Sequence, residues 1–293
     1  MTIKLGIIGG SGIYDFAEIE NKKWLPIIEG PYGLPSDEIL NGIIDDIEIF
    51  FLPRHGRSHS FSPSKVPYRA NIDALKRYGC NDLLSISAVG SLRENLKPGM
   101  FVIVDQFIDR TFARNKTFFD KTIVAHVSMA QPVCMKTAEL VKIAADKLSI
   151  NTVLGGTYLA MEGPQFSSFA ESKLYRSWGC DVIGMTNMPE AKLAREAEIR
   201  YASIAMVTDF DCWHEHEGNV DVTDIIKVLD ENAKNAKALI KSFVKNFKNN
   251  RTQDVIDGVD NVLDTAIITK NYSKDDLINN GLDAIASRII NES

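Results

Sequence analysis

The sequence predicts an α/β protein with a single core domain, in which helices flank a mixed, largely parallel sheet. Short continuous apolar runs alternate with helical patterns along the chain, which is typical of strands that are buried on both faces. Several runs end in glycine or small polar residues, as strands of open α/β sheets do where they meet ligands. The apolar runs are residues 3–8, 47–52, 83–89, 100–104, 152–161, 182–185 and 201–208.

Apolar spacings of three and four residues predict helices over 68–78, 133–148, 168–178 and 189–200. For the last of these helices, Asn187 and Glu190 have the spacing of a capping box. The longest periodic stretch begins after Thr223 and is predicted to pack on the sheet. It ends where polar residues break the pattern at 249–252.

Composition limits the classes of partner. The chain has 293 residues with 33 Lys and Arg against 39 Asp and Glu, so its net charge of -6 disfavours a nucleic-acid partner held by overall basicity. No apolar run approaches the roughly 20 residues that span a bilayer, and the N-terminus lacks the apolar core of a signal peptide. The four cysteines form no C-x-x-C pair. We therefore expect a cytoplasmic protein with reduced thiols, a small-molecule partner and no membrane association.

A glycine-rich turn, Gly9-Gly10-Ser11-Gly12, follows the first predicted strand. Its backbone N–H groups can approach an anion, and Ser11 adds a hydroxyl, so phosphate is the natural ligand. The dinucleotide fingerprint is excluded because Asp15 occupies the position of its third glycine. A tight bend without any ligand explains the glycines equally well, so both interpretations stay open.

Two arginines and two histidines follow the second apolar run within one short segment. Arg54 can hold phosphate oxygens with its planar guanidinium, and His55 can donate a hydrogen bond from a ring nitrogen. A solvated basic loop is the alternative. A zinc site built from His55 and His59 needs a helix, whereas Pro53 and Gly56 favour a loop, so we predict no metal.

Hydroxyl side chains occur at two more strand ends. Ser87 lies near Gly90 in the third apolar run, where it can bond phosphate or a sugar, although close helix-strand packing explains these small residues equally well. Ser167 lies in a segment that follows another buried run and opens a helix. That segment, residues 161–168, supplies hydroxyls, a glycine turn and an aromatic side chain.

Two carboxylates, Asp209 and Asp211, follow the last apolar run and point to one face if the strand continues that far. Like charges so close do not both stay ionised when desolvated, so we expect one to keep its proton near neutral pH. A protonated carboxyl is the donor that a departing nitrogen base needs. An exposed acidic loop is the alternative.

Six segments, in one order, resemble those of the S-methyl-5'-thioadenosine phosphorylases, a group of the trimeric purine nucleoside phosphorylase family. The resemblance runs from about residue 4 to about residue 247. It implies a nucleoside phosphorylase catalytic domain over 1–248, followed by a helical C-terminal appendage over 249–293 whose role it does not indicate. The segments are Gly9-Gly10-Ser11-Gly12, Pro53-Arg54-His55-Gly56, Pro67-Tyr68-Arg69-Ala70-Asn71-Ile72, Met161-Glu162-Gly163-Pro164, Met185-Thr186-Asn187-Met188-Pro189-Glu190 and Thr208-Asp209-Phe210-Asp211-Cys212-Trp213.

The resemblance implies that phosphate attacks the anomeric carbon of S-methyl-5'-thioadenosine and releases adenine and 5-methylthioribose 1-phosphate. It implies no metal and no organic cofactor, with phosphate as a co-substrate. It also implies a homotrimer in which a neighbouring subunit contributes to the site. A phosphorylase of adenosine or another purine nucleoside is the alternative, and a silent purine-binding or assembly module on this fold is another.

The resemblance also implies roles for individual residues. Asp209 and Asp211 face the adenine, one at N7 and one at the 6-amino group, with Asp209 as the acid. Relatives specific for 6-oxopurines carry asparagine at position 209, so Asp209 favours a 6-aminopurine. Met185 lies against the nucleoside and Ser167 near the base. Val222 and Ile226 line the 5' pocket, and His126 arrives from a neighbouring subunit. The phosphate ligands are Ser11, Arg54, His55, Ser87, Ala88 and Thr186.

Overall fold

A computed structural model describes residues 3–10, 19–214 and 222–292, with the backbone alone for residues 222–226. The described strands form one mixed, largely parallel sheet, which confirms the predicted fold class. The strands are β1 (Lys4–Gly9), β2 (Glu20–Leu25), β3 (Ile39–Ile44), β4 (Ile47–Pro53), β5 (Asp82–Ser91), β6 (Phe101–Val104), β7 (Gln106–Asp109), β8 (Thr152–Leu154), β9 (Thr157–Ala160), β10 (Val182–Gly184) and β11 (Arg200–Asp209).

Helices flank this sheet, and the long periodic stretch forms one helix that packs on it through Ile240, Phe243 and Phe247. Among the described residues, no helix combines the length and the apolar character that a membrane crossing needs. The helices are α1 (Tyr68–Arg77), α2 (Met135–Lys147), α3 (Phe169–Ser177), α4 (Asn187–Glu196), α5 (Val222–Asn250), α6 (Leu263–Ala266), α7 (Lys274–Asn279) and α8 (Ser287–Glu292).

Strand β5 is the centre of the sheet, and the sheet branches at its C-terminal end. On one side β5 pairs in parallel with β1, which pairs in parallel with β4. Strand β5 also pairs in parallel with β11. Beyond the end of β1, Gly90 and Ser91 of β5 pair in an antiparallel direction with β10. The carboxyl ends of β1, β4, β5 and β11 therefore meet at one edge, where open α/β sheets bind ligands.

Gly90 lies at the branch point and must be small. A Cβ atom there would lie 2.9 Å from Oδ1 of Asp209 and 3.1 Å from Ile183 on the other branch. Next to it, the register of β11 shifts between Val207 and Asp209. Such an irregularity redirects side chains at the end of a strand, here the carboxylate of Asp209.

Three details differ from the sequence predictions. The predicted strand over 152–161 is divided, because Gly155 and Gly156 have φ values of 93° and 148°. Its first part, β8, pairs with β6, whereas its second part, β9, pairs with β10 and β7. Apolar runs do not predict strands β2, β3 and β7, because β2 is mainly exposed, β7 is half-buried throughout, and Asn41 and Gly42 interrupt the apolar residues of β3.

The predicted capping box at α4 is wrong. No side chain caps that helix, and Met188 has an extended backbone (φ -119°, ψ 128°), so the regular turns begin at Pro189. The side chain of Asn187 bonds Tyr201, and that of Glu190 pairs with a buried arginine. Long-range partners have therefore replaced the local pattern that the spacing predicts.

Residues that follow α5 share the main core of the protein. Leu277, Leu282 and Ile285 are buried in the cluster that contains Phe50 and Ile72. Ion pairs also join this region to the sheet, including Arg200 with Asp260 at 2.6 Å. The division of the chain at residue 248 stays a prediction, but the residues beyond it contribute buried apolar surface.

We expect Leu277→Ala to lower the free energy of unfolding by about 2–5 kcal/mol, because truncating a buried leucine leaves a cavity. Ile278→Ala is the matched control, since Ile278 is the next residue of α7 and is 47% exposed. It should change the free energy by no more than about 0.5 kcal/mol. Denaturant unfolding of both variants measures the difference. Equally small effects would mean that α7 does not contribute to the core.

Candidate active site

A cavity of about 610 Å³ lies at the sheet edge where β5 separates from β10 and β11. Its walls include apolar side chains such as Met161, Phe166 and Ile183. Polar groups converge on it from the ends of several strands, as they do in small-molecule sites. Predicted site residues that line this cavity are Arg54, His55, Ser87, Ala88, Met185, Thr186, Asp209 and Asp211.

Other predicted residues lie elsewhere or cannot be placed. Ser167 is buried near the cavity, and its hydroxyl contacts Sδ of Met161 at 3.7 Å. His126 is exposed, and its backbone N–H donates to the carbonyl of Ala266. Its role concerns a neighbouring subunit and stays a prediction. The residues outside the described part of the chain are Ser11 and, for their side chains, Val222 and Ile226.

Arg54 is completely buried at one side of the cavity, immediately after β4. Its Nε donates to Glu190 Oε2 at 2.8 Å, and its Nη2 donates to Ser85 Oγ at 2.8 Å. Its Nη1 donates to the carbonyl of Ile86 at 3.0 Å and faces the glycine turn, since a Cβ on Gly10 would lie 3.3 Å away. Nε and Nη2 of the guanidinium therefore both bond the carboxylate of Glu190, and Nη1 is the nitrogen that faces Gly10.

Glu190 is the first of the residues that the sequence analysis missed. Its carboxylate accepts hydrogen bonds from Ser85 Oγ and, at 2.9 Å, from Tyr201 Oη. Asn187 extends the network, because its Nδ2 donates to Tyr201 Oη at 2.8 Å while its Oδ1 accepts from Ser87 Oγ at 3.0 Å. The only sequence signal for Glu190 is its spacing of three residues from Asn187, which is also typical of a helix cap.

Arg114 is a second residue that the sequence analysis missed. It is buried, and it pairs with Glu162 at 3.2 Å. Its Nη1 donates to the carbonyls of Met185 and Met188 at 2.6 Å each. It therefore fixes the segment that carries Met185 and Thr186 into the cavity. No motif or spacing in the sequence marks this arginine.

His55 is buried beside Arg54, and its ring presents an unprotonated nitrogen. Nδ1 lies 2.8 Å from the carbonyl oxygen of Phe61, which can only accept, so Nδ1 carries the proton. Burial, together with the nearby charge of Arg54, lowers the pKa of His55 to about 4, although the hydrogen bond to Phe61 opposes the shift. The ring is therefore neutral at pH 7, and Nε2 is an acceptor. The sequence analysis assigned His55 the role of donor to phosphate, which this geometry does not support.

His59 stacks on His55, with ring centroids 4.5 Å apart and an angle of 13° between the planes. Both rings line the cavity. Within the described ranges, no group of three or more His, Cys, Asp and Glu side chains is arranged to hold a metal ion. The stacking fixes the orientation of the His55 ring, together with its bond to Phe61.

Asp209 and Asp211 form the other side of the cavity. Strand β11 ends at Asp209, and Asp211 has a positive φ of 52°, so a turn rather than a continued strand brings both carboxyls to the cavity. Asp209 accepts from Thr208 Oγ1 at 2.7 Å and from the Asp211 N–H at 2.8 Å. Among the described atoms, Oδ2 of Asp211 is buried and has no hydrogen-bond partner.

Burial raises the pKa of both carboxyls, to about 6 for Asp211. The proximity of Asp209 raises the pKa of Asp211 as well, although hydrogen bonds from neighbouring serines oppose the shift. Two donors stabilise the charge of Asp209, whereas Oδ2 of Asp211 has none. The raised pKa of Asp211 makes it a second candidate for the acid, and the acid role of Asp209 stays a prediction.

Comparison with known proteins identifies relatives of this chain. A family model described as the phosphorylase superfamily matches residues 4–245. The S-methyl-5'-thioadenosine phosphorylase of Cereibacter sphaeroides is 54% identical over 291 residues, covering 99% of both chains. The chain belongs to the phosphorylase superfamily, within the S-methyl-5'-thioadenosine phosphorylase family. The enzyme of the same name from Rhodospirillum rubrum is 55% identical over 286 residues, which are 98% of this chain and 97% of that protein.

Solved structures agree with this family membership. A methylthioadenosine phosphorylase from an Antarctic soil metagenomic library is 45% identical and superposes with a TM-score of 0.89, covering 97% of this chain and 99% of that one. The methylthioadenosine phosphorylase of Schistosoma mansoni, solved in complex with adenine, is 35% identical with a TM-score of 0.83. That match covers 90% of this chain and 99% of the other. The likeness to the first of these structures therefore extends beyond residue 245, where the match to the family model ends, into the residues that follow α5.

We expect Glu190→Gln to lower the free energy of unfolding by about 3–5 kcal/mol, because it leaves the charge of Arg54 buried without its counter-ion. Glu38→Gln is the control. Glu38 pairs with Arg57 at 2.7 Å at the surface, where such pairs contribute about 0–1 kcal/mol. Denaturant unfolding at pH 7 measures both. A loss for Glu190→Gln no larger than that of the control would contradict the structural role of the buried pair.

Proposed function

We propose that this protein cleaves S-methyl-5'-thioadenosine with inorganic phosphate to give adenine and 5-methylthioribose 1-phosphate. The observation that carries the proposal is the division of one cavity between the buried guanidinium of Arg54 beside Gly10 and the two carboxyls of Asp209 and Asp211. The first side suits an oxyanion, and the second suits a purine that must be protonated as it leaves. The family membership of the chain supports the same reaction.

On the anion side, we assign phosphate to Ser11, Arg54, His55, Ser87, Ala88 and Thr186. Glycosidic cleavage passes through a sugar with oxocarbenium character. An anion held next to the anomeric carbon stabilises that positive charge and is also the nucleophile that attacks it. Most of the catalytic work on this side is therefore positioning. The reaction uses phosphate as co-substrate, and our proposal includes no metal and no organic cofactor.

On the base side, Asp209 and Asp211 face the adenine, one donating toward N7 and the other accepting from the 6-amino group. Protonation is needed because a purine that departs as a full anion is a poor leaving group. Burial of the pair keeps a proton available, since it raises the pKa of both carboxyls. Met185 lies against the nucleoside, and Ser167 lies close to the base side.

The subunit arrangement and the 5' pocket complete the proposal. We place Val222 and Ile226 around the methylthio group, and His126 from a neighbouring subunit of a homotrimer at the same pocket. The proposal also includes a cytoplasmic location. Sedimentation of the purified protein at three times the mass of the 32.6 kDa chain would support the homotrimer. A monomer with full activity would contradict the contribution of His126.

A phosphorylase of adenosine is the second candidate. It is favoured by one related structure, the adenosine/methylthioadenosine phosphorylase of Schistosoma mansoni, a mutant of which is 36% identical with a TM-score of 0.78. That match covers 83% of this chain and 91% of the other. Comparing kcat/KM for adenosine and for S-methyl-5'-thioadenosine shows whether the 5' pocket accepts a hydroxyl group as well as a methylthio group.

We expect adenine release from S-methyl-5'-thioadenosine to require phosphate. The measurement is adenine formation by chromatography, with and without phosphate, at constant ionic strength set by chloride. Stoichiometric 5-methylthioribose 1-phosphate should accompany the adenine. Equal adenine release in phosphate-free buffer would indicate a hydrolase, and binding of the nucleoside without turnover would indicate a silent binding module.

We expect Asp209→Asn to reduce kcat/KM for S-methyl-5'-thioadenosine by about 100-fold or more, because an amide cannot transfer a proton to the leaving base. The variant should fold normally, since asparagine can still accept from Thr208. Asp211→Asn is the comparison that separates the acid from the carboxyl that only orients the base. Activity of Asp209→Asn near that of the unmodified protein would remove Asp209 from the acid role.

A further inference from the structure

The buried ion pair between Arg54 and Glu190 determines the direction of a chain of hydrogen bonds. A carboxylate only accepts, so the hydroxyl of Tyr201, 2.9 Å from Glu190 Oε1, must donate to it. The oxygen of Tyr201 then accepts from the neighbouring amide of Asn187 at 2.8 Å. The amide group of Asn187 is therefore oriented with its NH₂ toward Tyr201.

This orientation directs the carbonyl oxygen of Asn187 toward Ser87, at 3.0 Å from Oγ. A hydroxyl has one proton, and the carbonyl oxygen can only accept, so Ser87 donates its proton to Asn187. Asn187 is 0% exposed and Ser87 is 3% exposed, so water does not compete for this bond. Ser87 lines the cavity and also hydrogen-bonds the buried hydroxyl of Tyr158, so with its proton on Asn187 it offers the cavity an oxygen lone pair and no proton.

His55 also presents a hydrogen-bond acceptor to the cavity, for a different reason. Its Nδ1 proton is committed to the carbonyl of Phe61 at 2.8 Å, and the neutral ring leaves a lone pair on Nε2. His55 lines the same cavity and is 6% exposed. The cations near it, Arg54 and Arg114, as well as the adjacent His59, disfavour a second proton on the ring.

We propose that the anion subsite selects an oxyanion that itself carries protons, because His55 and Ser87 both present hydrogen-bond acceptors to it. This inference rests on the proposed function, which places phosphate between these two side chains. Near neutral pH phosphate exists as its dihydrogen and monohydrogen forms. Dihydrogen phosphate satisfies both acceptors and the monohydrogen form satisfies one. Sulfate has the same shape but no proton, so its oxygens would meet two lone pairs.

Arg54 is a donor that does not discriminate. Its Nη1 can bind an oxygen of any tetrahedral oxyanion. Arg54 is also neutralised by Glu190, so the subsite has no excess positive charge that would draw in a divalent anion regardless of its protons. The discrimination between phosphate and sulfate is therefore assigned to His55 and Ser87.

The first experiment uses the unmodified protein. With S-methyl-5'-thioadenosine at saturation, pH 7 and constant ionic strength, we measure the KM for phosphate and the competitive inhibition constant of sulfate. We expect the sulfate constant to exceed the phosphate KM by about tenfold or more, the usual effect of an unmade buried hydrogen bond. Arsenate, which is protonated like phosphate, should replace phosphate with a KM within about threefold. A sulfate constant within about threefold of the phosphate KM overturns the proposal.

The second experiment tests Ser87 directly. Ser87→Ala removes an acceptor, so the KM for phosphate should rise about tenfold while the inhibition constant of sulfate stays the same or falls. Ser87→Thr is the matched control, because it keeps the hydroxyl and its bond to Asn187, and the ratio of the two constants should not change. If Ser87 donated its proton to the anion, Ser87→Ala would weaken phosphate and sulfate by the same factor, which overturns the proposal.

Different results would overturn the proposed function and the proposed selectivity of the anion subsite. Absence of phosphate-dependent adenine release from the unmodified protein would overturn the proposed function. Normal phosphate-dependent turnover together with strong sulfate inhibition would overturn only the selectivity of the subsite. The comparison of anions in the unmodified protein remains decisive even if Ser87→Ala folds poorly.

Discussion

The ion pair between Arg54 and Glu190 is the interaction on which the rest of the site depends. A buried charge is tolerated only when its partner and its remaining hydrogen bonds are all in place. Arg54 therefore requires a carbonyl and a hydroxyl from β5 and a carboxylate from α4 at fixed positions. Because Glu190 also receives the hydroxyls of Ser85 and Tyr201, the same pair aligns β11 with β5. The geometry of the strand ends follows from this one requirement.

The branching of the sheet provides the room that the chemistry needs. Strand β5 continues beyond β1 to Ser91, and β10 and β11 leave it in two directions at Gly90. The gap between these branches opens the cavity, with the Arg54 network at one side and the two carboxyls at the other. A Cβ atom at position 90 would lie 2.9 Å from Oδ1 of Asp209, so a larger residue there would displace this carboxylate. The small residue at the branch therefore leaves room for an anion and a base on opposite sides of the cavity.

The sequence predicts well what depends on local pattern or on strand ends. Buried strands and the long amphipathic helix follow from apolar runs and their spacing. The joint position of Arg54 and the aspartate pair at one cavity is what the family resemblance implies. Features that depend on distant partners are not predictable in this way. Glu190 has the spacing of a helix cap but pairs with Arg54, 136 residues away in sequence. The donor assigned to His55 fails for the same reason, since the carbonyl of Phe61 fixes its tautomer.

The side of the cavity that we assign to phosphate carries almost no net charge. Arg54 is paired with Glu190, Arg114 is paired with Glu162, and the ring of His55 is neutral. In our proposal, directed hydrogen bonds rather than net positive charge hold an oxyanion there. Uniformly tight binding of the ground-state anion would not speed the reaction, because only interactions that strengthen in the transition state do so. An oriented and weakly charged subsite leaves the anion nucleophilic while it still positions the attacking oxygen.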